Sequence, residues 1–103
     1  MALRTRLDLQ SLLESIDGVK KVYFQPPTGM MLEYPCIVYS RSNILTRHAD
    51  NNPHITFDRY TVTAIYRDPD SLITKHISQI PSCRHDRAFK KDNLNHDTFT
   101  ISF

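Results

Sequence analysis

Glycine is scarce in this chain of 103 residues, which has only Gly18 and Gly29. Loops that cradle phosphates need several closely spaced glycines, so P-loop and Rossmann nucleotide sites are excluded. Long apolar runs are missing as well, because no stretch approaches the ~18 residues of a membrane-spanning helix. Charged residues, among them Arg4, Arg6 and Asp8, interrupt the first apolar residues. We therefore expect neither a signal peptide nor export, and no membrane contact.

Cysteine is limited to two residues, and neither belongs to a CxxC pair with standard zinc spacing. The residue types that could hold a metal are spread along the chain: Cys36, His48, His54, Cys83, His85 and His96. Because ligands of a structural metal cluster at short spacing, we expect no metal and no cofactor. The cysteine count alone allows a disulfide, whereas a chain without a leader favours a reducing cytoplasm and two buried thiols.

The charges are nearly balanced, with 13 Lys and Arg against 11 Asp and Glu. A nucleic-acid-binding protein usually shows a basic stripe or patch, so this class is disfavoured. Hydrophobic residues make up 40% and charged residues 23%, which is typical of a soluble globular protein. The length suits one domain over residues 1–103.

Apolar periodicity predicts the first elements. A helix is expected where leucines and isoleucine follow helical spacing, namely Leu9, Leu12, Leu13 and Ile16, and Gly18 should end it. Short strands are expected at 19–24 and 36–40, and a polar loop at 41–53. The β-branched and aromatic residues of 54–68 predict a long strand that pairs antiparallel with 36–41 in a wide hairpin, with its far end projecting from the sheet.

The stretch YRDPDSLITKHISQIPSCRHD (66–86) contains the residue types of hydrolases. Asp68 has the position of an N-cap, with Pro69 first in the helix, and isoleucines follow at helical spacing. Ser71 and His76 are five positions apart, about 500° around a helix, so they cannot form a nucleophile–base pair. We interpret the stretch as a helix, and we expect no catalytic residue and no enzyme.

The last residues, DTFTISF (97–103), alternate between apolar and polar and predict a final strand. Residues 84–93, RHDRAFKKDN, are expected to form a solvated loop. The predicted fold class is α+β: a single, mostly antiparallel four-stranded sheet with two helices on one face and a long β-hairpin, in the order α-β-β-β-α-β.

Three segments are candidates for subunit or partner contacts. The loop QPPTGMMLEYP (25–35) either covers the core or exposes an apolar patch, and both remain open. The second segment is the long strand, whose charged residues at both ends could pair between subunits. The third is residues 84–93, which could contact a protein partner or phosphate, with Phe89 anchoring this segment to the core. The candidate residues are Met30, Met31, Leu32, Asp58, Arg59, Arg67, Asp68, Arg87 and Phe89.

Four phrases of the sequence resemble a known family. They are VYFQPP (22–27), YPCIVY (34–39), the strand-to-helix join around YTVTAIYRDPDS (60–71), and DNLNHDTF (92–99). The chain from Gly18 to Phe103 resembles the tail terminator, or tail completion, proteins of long-tailed bacteriophages and their head–tail joining relatives. None of these phrases is catalytic, so the resemblance depends on their succession.

The resemblance implies a small α+β domain that assembles into a hexameric ring at the tail–neck junction of the virion, after synthesis in the host cytoplasm. Such a ring caps the tail tube, ends its polymerisation and offers a surface to the head. The implied partners are the tail tube protein, head-completion or connector proteins and the end of the tape measure protein, with DNA only in passage through the lumen. The alternative is a head-side connector or stopper protein.

Overall fold

The computed structural model describes residues 5–49 and 52–103. The chain forms helices α1 (Arg6–Glu14) and α2 (Ile73–Ser78) and strands β1 (Lys21–Phe24), β2 (Cys36–Ala49), β3 (Asn52–Tyr66), β4 (Cys83–Lys91) and β5 (Leu94–Ser102). The strands form one sheet in the order β1-β2-β3-β5-β4. Strand β1 is parallel to β2, and the other pairs are antiparallel. The α+β class and the mostly antiparallel sheet are confirmed, but the sheet has five strands where four were expected.

The fifth strand is β4, so the prediction of a solvated loop at 84–93 was wrong. Strand β4 turns into β5 through Asp92 and Asn93, which both have positive φ (53° and 62°). Two such residues form the tight turn that matches the twist of a hairpin, and aspartate and asparagine tolerate this conformation. The strand could not be recognised from its sequence pattern, because an edge strand exposed to water needs no apolar face and can carry many charged residues.

The prediction of a polar loop at 41–53 was also wrong, because β2 continues to Ala49 and β3 begins at Asn52. The predicted antiparallel hairpin between them is confirmed. Along the hairpin, β5 pairs with β3 only as far as Arg59, which lies opposite Ser102. Strand β1 pairs with β2 only as far as Tyr39. Beyond these points the hairpin has two strands, and we call residues 43–49 and 52–58 the arm. The molecule measures 51 × 27 × 23 Å.

Helix α1 begins at a capping box between Thr5 and Asp8, in which each side chain bonds to the backbone N–H of the other. Leu9 and Leu13 are fully buried, as predicted, whereas the side chain of Leu12 is 38% exposed. The helix ends at Glu14, before the expected boundary, and Gly18 follows in the turn with φ +90°.

Helix α2 begins four residues later than expected, so Asp68 is not its N-cap. The Asp68 carboxylate instead accepts a hydrogen bond from the Asp70 N–H (2.9 Å), which turns the chain before the helix. The predicted apolar spacing is confirmed, because Ile73, Ile77 and Ile80 are all buried. No helix among the described residues is long and apolar enough to cross a membrane.

The two faces of the sheet differ in what covers them. On the helix face, both helices pack over a cluster that includes Tyr39, Tyr60, Phe99 and Ile101, all at most 1% exposed. Tyr39 ties α1 to this face, since its hydroxyl donates to Gln10 and accepts from Arg6. The opposite side, which we call the open face, has a smaller cluster made of Cys36, Ile65 and Leu94.

Candidate interaction surfaces

The loop at 25–35 combines both roles that its sequence left open. Leu32 and Tyr34 pack on the small cluster of the open face, so this part covers a core. Met30 and Met31 stay 46% and 91% exposed. The Glu33 N–H donates to the Tyr23 hydroxyl (3.1 Å), which holds the loop against β1. The two methionines therefore form an exposed apolar patch on a fixed loop.

The base of the arm is braced within the chain. Asp58 lies 3.4 Å from the Arg41 guanidinium and accepts a hydrogen bond from the Tyr60 hydroxyl (3.2 Å). The backbone oxygen of Asp58 accepts from the Phe103 N–H (2.8 Å), which ties the last residue to the same point. Asp58 thus has a partner in its own chain, and its expected pairing between subunits stays a prediction.

Arg59 lies beside Asp58, and its Nε is buried without a hydrogen-bond partner among the described residues. Its backbone oxygen accepts from the Ser42 hydroxyl (3.2 Å) at the irregular point where β2 enters the arm. A buried guanidinium nitrogen usually has a partner. Arg59 is accordingly a predicted contact residue with a buried polar atom that has no partner in the described part of the chain.

Arg67 and Asp68 follow the end of β3, beside the 25–35 loop. The Arg67 guanidinium lies 5.8 Å from the centre of the Tyr34 ring, and its backbone oxygen accepts from Asn95 (3.2 Å). Asp68 shapes the turn before α2. Both residues line a cavity of about 290 Å³ together with Tyr34, Pro35, Tyr66 and Ser71.

Arg87 and Phe89 lie on β4 and form a stack with β5. The Arg87 guanidinium lies 4.5 Å from the Phe89 ring centre, and this ring stacks on His96 at 4.9 Å and 10°. Phe89 lies on an edge strand and belongs to neither hydrophobic cluster, so it contacts Arg87 and His96 and does not anchor a loop to the core. Cation–π contact and stacking hold the three side chains against the open face.

Asp97 is the one buried carboxylate among the described residues, at 6% exposure, and it was not singled out from the sequence. Its Oδ2 accepts a hydrogen bond from the Tyr66 hydroxyl (2.5 Å), and its Oδ1 lies 3.0 Å from His85 Nε2. Burial, and then the hydrogen bond to Asp97, raise the pKa of Tyr66 to about 12. The strand pattern could have identified this residue, since Asp97 lies two and four residues before the buried Phe99 and Ile101 and therefore shares their face.

The potential metal ligands whose side chains the structure describes do not converge. Cys83 and His85 belong to the helix face, whereas His96 and Cys36 belong to the open face. Among the described residues no three His, Cys, Asp or Glu side chains are placed to hold a metal. The side chains of His48 and His54 lie outside the described part of the structure. Both cysteines are free thiols, and burial raises the pKa of Cys36 to about 11.

The surfaces described above are an arm, an apolar loop tip and an edge strand with several cationic side chains. Comparison with known proteins adds no relative, because no protein-family model and no curated protein matches the sequence.

Proposed function

We propose that this chain is a structural virion protein of the phage neck. In this proposal it forms a hexameric ring that caps the tail tube, ends tail polymerisation and provides the surface for head attachment. The sequence resemblance suggests this role, and the arm is the structural observation that carries it.

The arm favours assembly because it is difficult to account for in an isolated subunit. A two-stranded hairpin is only marginally stable in water unless another strand or layer covers it. Neither β1 nor β5 extends along the arm. Its base is nonetheless fixed by Asp58, so the arm leaves the sheet in a defined direction. A ring interface joins two different patches, and a projecting arm can supply one of them.

The exposed Met30 and Met31 supply a second apolar contact, outside the arm. Weak contacts of this kind become strong when they are repeated around a ring, since each closed contact raises the effective concentration of the next. Termination then follows from geometry: one ring face binds the tube end, and the opposite face lacks what another tube subunit needs. A head-side connector or stopper is the second candidate, and it has the same need for a ring.

Native mass spectrometry of the arm-deleted variant tests the ring. Ile44 and Asp58 are register partners, so residues 45–57 can be replaced by an Asn-Gly turn that leaves the Arg41–Asp58 pair intact. We expect the wild-type chain to form hexamers at high concentration and the shortened chain to stay monomeric with a melting temperature within about 5 °C of wild type.

The matched control is Lys75→Ala, which changes an exposed residue of α2, outside both the arm and the 25–35 loop, and should leave the hexamer unchanged. Hexamers of the shortened chain would contradict the role given to the arm. A wild-type chain that stays monomeric both alone and on purified tail tubes would contradict the ring.

A further inference from the structure

Strand β4 has the features of a docking edge. It lies at the end of the sheet order, so β5 pairs with only one of its sides. Alternate backbone N–H and C=O groups on the other side are therefore available to another strand. At nine residues it is as long as β5, whereas the opposite edge strand, β1, has four.

The charge of this edge is unbalanced. The segment from Cys83 to Asn93 contains Arg84, Arg87, Lys90 and Lys91 but only two carboxylates, an excess equal to the formal net charge of the chain, +2. One of these carboxylates, Asp86, is already engaged by Arg84 (3.1 Å) and the Thr100 hydroxyl (2.6 Å). Among the described residues no carboxylate pairs with Arg87, Lys90 or Lys91.

The arrangement of these cations is ordered. Arg87, Phe89 and Lys91 alternate along the strand and share the open face, with Phe89 fixed between Arg87 and His96. An added strand would place its own alternate residues opposite them. Acidic residues would face the two cations, and an apolar residue would face the ring.

We infer that the β4 edge binds an acidic, extended segment of a partner protein, which adds to the sheet as a sixth strand. The arm of a second copy is not such a segment, because residues 43–58 contain one arginine and only two aspartates, and one of these, Asp58, is already paired with Arg41. Nucleic acid could satisfy the cations but cannot continue the backbone hydrogen bonds of the sheet. This inference does not depend on the ring, since the edge is complete in one chain.

A fluorescent peptide designed from the register tests the inference. In antiparallel alignment the sequence Thr-Glu-Glu-Val-Thr-Glu-Thr places glutamates opposite Lys91, Lys90 and Arg87 and valine opposite Phe89. We expect anisotropy to show binding with a Kd of about 0.1–1 mM at low salt. The double variant Lys90→Glu/Lys91→Glu should bind at least ~10-fold more weakly, because it replaces attraction by repulsion. Amide shifts in nuclear magnetic resonance spectra should concentrate on β4.

Three controls make the result specific. Lys20→Glu/Lys75→Glu changes the net charge equally at exposed positions outside β4 and should leave the affinity unchanged. A peptide N-methylated on the edge-facing amides should bind more weakly, since it cannot donate to β4. Absence of peptide binding, an equal loss in the two double variants, or no effect of N-methylation would overturn the inference. Tighter binding of a single-stranded oligonucleotide of equal charge would overturn it in favour of nucleic acid.

Discussion

The two faces of the sheet are made by the same five strands, yet they carry different kinds of residue. The helix face buries large side chains such as Phe99 and Tyr60 beneath two helices. The open face has its small cluster at one end, under the 25–35 loop, and threonines such as Thr63 and Thr98 along its middle. The helix face therefore accounts for most of the stability, and the contacts that we propose with other molecules are made by the open face and its edge.

The largest expected difference between the faces is in core packing. Phe99→Ala should lower the free energy of unfolding by about 3–5 kcal/mol, because it leaves a cavity among fully buried side chains. Its matched control is Thr63→Ala, a half-buried open-face residue, for which we expect a change within about 1 kcal/mol. Urea unfolding measures both. Equal losses would mean that the two faces contribute equally.

A smaller effect is expected at alkaline pH, from Tyr66 on the helix face. The pKa of Tyr66 is raised to about 12 from an ordinary 10, so the fold favours the neutral phenol. Its contribution to stability is fully present below pH 10 and is lost as the pH rises toward 12, by about 1–3 kcal/mol. Absorbance titration should show a late-ionising tyrosine that is absent in Tyr66→Phe. An unchanged titration curve in that variant would contradict the assignment.

The smallest effect is expected where the loop covers the open face. Leu32→Ala should cost about 1–2 kcal/mol, because Leu32 is partly buried against the small cluster. Met31→Ala changes an apolar residue in the same loop that is 91% exposed, and it should change stability by less than about 0.5 kcal/mol. Thermal unfolding compares the two. A greater loss for Met31 would reverse the roles given to the two side chains.

The sequence predicted the helix face better than the edges. Leu9, Leu13, Phe99 and Ile101 follow helical or strand spacing, and all four are buried, because burial of one face imposes a period on the sequence. Strand β4 and the β2 half of the arm, residues 43–49, contain many charged or polar residues and show no such period. Their strands are defined by pairing with a neighbour, which single-strand patterns do not report.

The candidate contact residues were chosen for their residue type, and the sequence did not predict their positions in the fold. Met31 and Phe89 were chosen because exposed or isolated large apolar residues require an explanation, and the structure shows one on a loop tip and the other in a stack. Asp58 and Asp68 were chosen for charge, and both have partners within the chain. Local turn geometry decides such partnerships, and it becomes visible only once the chain is folded.

The measurement that tests the central proposal most directly is electron microscopy of purified tail tubes incubated with this protein, before and after tube protein is added. We predict a single ring at one end of each tube and no further growth from that end. Tubes that remain bare and continue to grow, while the protein binds DNA-filled heads, would contradict the tail terminator and favour the head-side connector.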